Sequence, residues 1–366
     1  MKVPLEVINE SNLVEEQKLS PDYVRISAAS AMALQMRSGR FAREFDFGGI
    51  NLLLNYEEGC LSDCGYCGLA RTRPGDYEEK SFIRVEWPLV NMEQLAIRMG
   101  EMKNKLTRLC ISQVTHARSH ADTLAITKMI NRYVDTPLSI LAAPPILNRA
   151  RLQEYKDLGV DMIGIGLDAV SEEVFFQHRT DVPNGKLKWS NYWDIIYASR
   201  DIFGPWKVNI HTVVGLGETD RDLIDIFYHL YEREILPYLF SFNPEPDSRM
   251  GEWKRSPITR WRRIQLIKHL IEHHDLKRED IIINAAGAIT GLRVTEKKIA
   301  AVVKNLDMGK PFKTDGCPSS GGDDGCSRPY GSYRPTDSYR DFPFLPNDDD
   351  IIQIRKELDL ENLLIH

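Results

Sequence analysis

Between Gly49 and Asn284 short apolar runs alternate with longer amphipathic stretches, and this rhythm leaves few folds open. The apolar runs are Ile50–Leu54, Leu106–Ser112, Leu138–Ala142, Met162–Leu167, Val208–Val214, Leu236–Phe242 and Ile281–Asn284. The stretches between them read as helices: Val90–Lys103, Asp122–Val134, Leu147–Leu158, Glu172–His178, Ser190–Ile202, Arg221–Glu234 and Thr259–His274. Strands that alternate with helices need right-handed crossovers and therefore pair in parallel. A nearly continuous apolar strand such as Met162-Ile163-Gly164-Ile165-Gly166-Leu167 fits burial on both faces. At least six such units, with Ile281–Asn284 as a possible seventh, exceed a small doubly wound domain. The expected fold class is α/β, a partial or full TIM-type (β/α) barrel with its chemistry at the carboxyl ends of the strands.

The flanks depart from this rhythm. Pro21 to about Glu44 reads as a helix, with Pro21 in the first turn and Ala, Met, Leu and Arg following. Residues Lys310 to Asp348 are rich in Gly, Pro, Ser, Asp and Tyr, yet a merely solvating tail does not need their two cysteines and several aromatics. Asp350–Ile365 can form a closing helix. The expected division is an N-terminal helical extension over 1–48, a barrel over 49–304 and a cysteine-bearing C-terminal segment over 305–366.

Composition narrows the functional classes. With 47 basic and 53 acidic residues the net charge is −6, so no basic field argues for nucleic acid. The local cluster Arg260, Arg262, Arg263 and Lys268 reads as the wet face of a helix. No run of about 18 apolar residues suggests a membrane span, and Met1 to Glu16 lacks the apolar centre of a secretory signal. Six cysteines in such a chain fit a reducing cytoplasm, where they serve metals or catalysis rather than disulfides.

Three of those cysteines lie within Cys60-Leu61-Ser62-Asp63-Cys64-Gly65-Tyr66-Cys67, directly after the first strand of the alternating region. Thiolates are the usual ligands of iron–sulfur clusters, and three of them leave one iron of a 4Fe–4S cubane open to a substrate or cofactor. A structural zinc site is the alternative, but no second CxxC or HxxxH pair lies nearby to complete it.

CxxxCxxC with an aromatic before its third cysteine, on the loop after the first strand of a βα barrel, resembles the radical S-adenosylmethionine superfamily. The resemblance implies that Cys60, Cys64 and Cys67 are the catalytic cluster ligands. It further implies that S-adenosylmethionine chelates the open iron and is cleaved to a 5′-deoxyadenosyl radical, and that Tyr66 contacts adenine. An electron donor such as ferredoxin or flavodoxin follows from the same chemistry. Lys207 to Thr219, which contains Val213-Val214-Gly215-Leu216-Gly217-Glu218-Thr219, is similar to the fifth strand of biotin synthase and its relatives. Val213, Gly215 and Glu218 then become cofactor-binding, as does Asp168 at the end of the fourth strand. Thr219 and Asp168 could instead cap the helices that follow them. Ser112-Gln113-Val114-Thr115 stands where this branch carries a GGE-like run.

Biotin synthase itself holds a sulfur-donating cluster with three barrel cysteines and an arginine. Of these only Cys110 has a counterpart here; Asn209 and Ala288 replace others, and Leu138–Ala142 has no cysteine. The tail, Asp315-Gly316-Cys317-Pro318 and Gly325-Cys326-Ser327-Arg328-Pro329-Tyr330, resembles the C-terminal cysteine segment of biotin-synthase-related proteins. That group includes a component of the archaeal-type two-protein lipoyl synthase. The implied function is sulfur insertion into a protein-bound octanoyl group. Cys317, Cys326 and Cys110 would hold a second 4Fe–4S cluster over the barrel mouth as sulfur donor, with Ser327 or Ser332 as further candidates. Implied partners are an octanoylated lipoyl carrier protein or domain and a second radical component. The competing readings are another enzyme of the branch, which cyclises, rearranges or methylates its substrate with the second cluster as electron relay or anchor, and a non-catalytic scaffold. His116 and His120 are expected to face solvent or cap a helix.

Overall fold

The computed structural model describes residues 18–179, 181–183, 185–293, 309–322, 325–331, 333–334, 336–337 and 339–365. Ser332 and the expected boundary near 305 lie outside them. The first elements are β1 (Tyr23–Ile26), α1 (Ala28–Ala33), β2 (Gly49–Leu54), β3 (Leu89–Asn91) and α2 (Met92–Glu101). Next come β4 (Arg108–Ser112), α3 (Ser119–Ile130), β5 (Leu138–Ala142), α4 (Arg149–Asp157), β6 (Met162–Asp168) and α5 (Glu172–His178). A two-stranded ribbon, β7 (Asp181–Val182) and β8 (Gly185–Lys186), precedes α6 (Trp189–Phe203), β9 (Val208–Val214), α7 (Asp220–Tyr231), β10 (Leu236–Ser241) and α8 (Ile258–His274).

One eight-stranded sheet runs β10-β9-β6-β5-β4-β2-β1-β3. Neighbours from β10 to β2 are parallel, so six βα units build a partial barrel rather than a closed one. Ile50, Leu52, Ile111, Ile140, Ile163, Ile165, Val208 and Ile210 are buried, as strands covered on both faces require. Among the described residues no helix is long and apolar enough to cross a membrane.

Two expectations about the ends of the barrel are corrected. Pro21 to Glu44 is not one helix: Tyr23-Val24-Arg25-Ile26 form a strand antiparallel to both β2 and β3. Its alternating β-branched residues gain a paired, buried place, which outweighs the helical preference of the alanines beyond. Helix α1 keeps only six residues and starts at Ser27, whose hydroxyl accepts from the Ser30 N–H. Nor does Ile281–Asn284 supply a seventh parallel strand. Ile281–Ile283 (β11) pairs antiparallel with Ile289–Arg293 (β12), and Leu364–Ile365 completes a separate three-stranded sheet. The reason is local: Asn284 accepts from the N–H groups of Ala286 and Ala288 through its side chain, and Gly287 takes φ +79°, so the chain turns back at once. Ala288 therefore lies in a hairpin, not on a barrel strand.

The tail fills the gap that six strands leave. Asp315 accepts from the Leu239 N–H of edge strand β10 at 2.7 Å, which satisfies one N–H of that edge. On the β2 side, the Cys326 thiol lies 3.5 Å from the Asn51 carboxamide oxygen. The basic cluster on α8 is what fastens the tail, so it is not a wet face. Arg262 and Lys268 are buried. Arg262 pairs with Glu357 at 2.7 Å, Arg263 with Asp359 at 3.2 Å, and Lys268 with Glu272 and Asp315 at 2.8 and 3.0 Å. Arg260 pairs instead with Glu218 and Asp220. The closing helix, Asp348–Leu358, is capped by Asn347.

Asp341 is sealed between tail and α8, where its Oδ1 accepts from Trp261 and Gln265 at 2.9 and 3.0 Å. Burial pushes its carboxyl up to about 7. The folded chain thus binds this proton more tightly than the unfolded one, so its contribution to stability falls as pH rises from about 4 to about 7. Asp341→Asn should flatten that part of the profile in denaturant titrations; an unchanged profile would show that the carboxyl is ionised throughout.

Candidate active site

Five backbone bonds sew the three-cysteine loop into its surroundings. Leu61, Asp63 and Gly65 donate to the carbonyls of Thr115, Asp181 and His178, Arg71 donates to Ser62, and Met250 donates to Gly65. Asp63 adds a turn of its own, accepting from the Thr72 N–H and hydroxyl at 3.0 and 2.7 Å. The loop thus presents Cys60, Cys64 and Cys67 together to one cavity of about 300 Å³ at the carboxyl ends of the strands. Burial pushes the Cys64 thiol up to about 11, with Cys60 adding to the rise and Arg179 opposing it. Cys67 is raised well above its ordinary value by burial, then by Cys64 and Cys60. Among the described residues no three His, Cys, Asp or Glu converge as ligands of a single ion do. Ligands of a cubane need not, since each thiolate takes its own iron. Cys64 and Cys67, which ionise poorly alone, suit a metal group that deprotonates them on binding; with Cys60 beside them the residues fit a cubane with one open iron.

Beside them stands a network built on Asp168. A bulge at the end of β6 and a left-handed backbone (φ 61°) turn this residue into the cavity. Its carboxylate accepts from the Tyr66 hydroxyl at 2.6 Å and pairs with Arg179. Arg179 also donates to the Tyr192 hydroxyl at 3.1 Å. Helix α5 is capped by Ser171 instead, at 3.4 Å from the Val174 N–H. Arg179 and Tyr192 carried no sequence signal, since neither lies in a motif or at a strand end.

Val213 lines the cavity, but Gly215 and Glu218 do not. The Glu218 carboxylate lies beneath its own turn, where it accepts from the N–H groups of Gly215 and Leu216 at 2.9 and 2.8 Å and pairs with Arg260. Gly215 and Gly217 adopt φ +114° and +108°, so the turn depends on their lack of a side chain. Thr219 caps α7 in a reciprocal box with Asp222. Glu218→Ala should cost about 2 kcal/mol in denaturant unfolding, because a buried N–H (Leu216) and a half-buried one (Gly215) lose their acceptor. A loss under about 0.5 kcal/mol would mean that the turn holds without it.

The Ser112–Thr115 stretch also lines the cavity, but its amide is committed to the scaffold. Gln113 donates to Thr123 and Tyr155 at 2.9 and 2.6 Å and accepts from the Ala143 N–H at 3.1 Å. His116 and His120 are buried rather than solvent-facing. His116 stacks on Tyr56 with ring centroids 4.0 Å apart, and His120 lies 2.9 Å from the Tyr155 hydroxyl. Helix α3 begins at Ser119, earlier than its apolar pattern suggests, which puts His120 in its first turn, while His116 Nδ1 accepts from the N–H of Arg118 at the helix start at 3.2 Å.

Cys110, Cys317 and Cys326 line the same cavity from the other end. Cys317 lies 3.5 Å from Asn209, second residue of β9, and the Pro318 carbonyl accepts from Arg108, first residue of β4. The tail therefore enters at the amino ends of the strands, not over the mouth at their carboxyl ends. Burial pushes the Cys110 thiol up to about 12, and the charges of Cys326 and Cys317 add to the rise. Two distant segments, β4 and the tail, thus bring their sulfurs into mutual electrostatic reach. Ser327 is buried but does not line the cavity.

The family model described as Radical SAM superfamily matches residues 54–229. No curated protein sequence matches the chain. Among solved structures, methylornithine synthase (PylB) is similar at 10% identity and a TM-score of 0.45, over 62% of this chain and 61% of that one. The FeFe-hydrogenase maturase HydG from Carboxydothermus hydrogenoformans is similar at 15% identity and a TM-score of 0.45, over 92% and 71%. Coproporphyrinogen III oxidase (HemN) from Escherichia coli follows at 16% identity and 0.35, over 45% and 39%. The chain spans about three fifths of the length of the first of these.

Proposed function

We propose that this chain, which belongs to the radical SAM superfamily through residues 54–229, acts as a lipoyl synthase component that inserts sulfur into a protein-bound octanoyl chain. Radical SAM enzymes use S-adenosylmethionine and a 4Fe–4S cluster, and here Cys60, Cys64 and Cys67 would hold that cluster. The observation that carries the finer reading is the second thiol group, Cys110, Cys317 and Cys326, which faces the same cavity from the opposite end. When bound, the first cluster with its cofactor supplies a 5′-deoxyadenosyl radical, and a second 4Fe–4S cluster on this second group supplies sulfur.

The chain's own residues would bind, orient and keep water out. Tyr66, Asp168 and Val213 face the space beside the first thiol group and are assigned to S-adenosylmethionine; Gly215 and Glu218 shape the turn behind it. Leu53, Leu141, Val213 and Phe240 give the cavity an apolar wall that suits an aliphatic chain and removes competing hydrogen donors. The partners that follow are an octanoylated carrier protein or domain, a second radical component and a ferredoxin- or flavodoxin-type donor, all in the cytoplasm.

Incubation with an octanoylated carrier peptide, dithionite and S-adenosylmethionine, with and without the second component, tests this by mass. Added sulfur on the peptide is the expected result. Formation of 5′-deoxyadenosine with no sulfur added in either arm would overturn the lipoyl reading in favour of another radical reaction.

A further inference from the structure

Most of the large buried cations of this chain have evident partners. Arg25 donates to the carbonyls of Trp87, Tyr77, Glu78 and Lys80; Arg179 pairs with Asp168; Arg262 pairs with Glu357. Arg328 differs. Its guanidinium lies 4.0 Å over the Phe240 ring at the edge of the cavity, and its Nε and Nη2 are buried with no hydrogen-bond partner. Asp341 is close enough to feel its charge, but the Asp341 Oδ1 serves Trp261 and Gln265. The backbone at Arg328 is left-handed (φ 45°), a conformation that an arginine adopts only where its surroundings enforce it.

A guanidinium with two buried nitrogens left without acceptors is costly, so a chain that keeps one has a use for it. What surrounds Arg328 indicates which. It follows Cys326 by two residues, its charge and backbone N–H lie near enough to oppose the rise of the Cys326 thiol, and Cys110, Cys317 and Cys326 line the same cavity. As neutral thiols these three offer the guanidinium no charge. Bound to iron they become thiolates, and three thiolates on an oxidised cubane leave a net negative charge in a buried place. The unpaired guanidinium nitrogens and the cluster's negative charge then answer each other.

We propose that Arg328 is a positioning residue for the second cluster, the cation that balances its thiolates and retains it in the cavity. This rests on the second-cluster reading above.

The test uses the full chain with Cys60→Ala, Cys64→Ala and Cys67→Ala, so that only the second group can load, and adds Arg328→Gln or Arg328→Lys. Four measurements follow anaerobic reconstitution: iron and sulfide content, iron release to a chelator, midpoint potential by electron paramagnetic resonance, and melting temperature of the metal-free chain. Arg328→Gln is expected to release iron about tenfold faster or more. Its potential should shift negative, because an added electron loses its counter-charge. Arg328→Lys, which keeps the charge, should stay nearer the parent, and the metal-free melting temperature of Arg328→Gln should not fall. Unchanged release and potential in Arg328→Gln would overturn the proposal. So would an Arg328→Lys chain as impaired as Arg328→Gln, or a lower metal-free melting temperature, which marks a purely structural role. If the triple-alanine parent binds no iron at all, the second-cluster reading fails first and takes this one with it.

Discussion

Replacing Cys317 and Cys326 together by alanine should abolish sulfur transfer while leaving the cleavage of S-adenosylmethionine to 5′-deoxyadenosine in place. The two thiol groups enter the cavity from opposite ends and on separate chain segments: one on the loop after β2, the other on β4 and the tail. Removing the tail thiols leaves Cys110 alone, and one thiolate does not hold a cubane. The Cys60–Cys67 loop keeps its backbone bonds to Thr115, Asp181 and His178, none of which involves the tail. Bound iron should fall from about eight to about four atoms per chain, as one of two cubanes is lost. Sulfur transfer should fall by more than the roughly 10–100-fold that loss of an outer-shell partner costs. Loss of cofactor cleavage in the same variant would show that the two groups do not have separate roles.

The largest stability effect is expected at Arg179. Arg179→Met removes the cation from Asp168, whose side chain is 19% exposed, and from the hydroxyls of Tyr66 and Tyr192. Breaking such a pair strands a carboxylate in a mostly dry site, at about 3–5 kcal/mol. Adding Asp168→Asn should recover part of the loss, because the stranded charge is then gone. That recovery in denaturant unfolding separates charge pairing from simple packing by Arg179 over the Tyr192 ring, 4.9 Å away. A single-variant loss below about 1 kcal/mol, or no recovery in the double variant, would contradict the role given to the pair.

The parallel strands were legible because burial on both faces writes itself as continuous apolar runs: β5 and β9 coincide with the runs Leu138–Ala142 and Val208–Val214. What was not legible depended on partners distant in sequence. Tyr23–Ile26 becomes a strand because β2 and β3 lie on either side of it. The α8 basics look solvated until Glu357, Asp359 and Asp315 arrive from the tail. In the site, spacing marked Cys60, Cys64 and Cys67, since one loop carries all three. Arg179 could not be found this way, for it meets Asp168 only through the return of the chain after α5. Glu218 was found as a residue and misread in direction: it faces its own turn, not the cavity. Arg328 stood within a segment singled out for its cysteines, and the two buried guanidinium nitrogens that lack acceptors became visible only in three dimensions.

Iron and sulfide counts on the anaerobically reconstituted chain test the two-cluster assignment most directly. About eight irons and eight sulfides per chain are predicted, one cubane on Cys60, Cys64 and Cys67 and one on Cys110, Cys317 and Cys326. About four of each, unchanged when Cys317 and Cys326 become alanine, would contradict it.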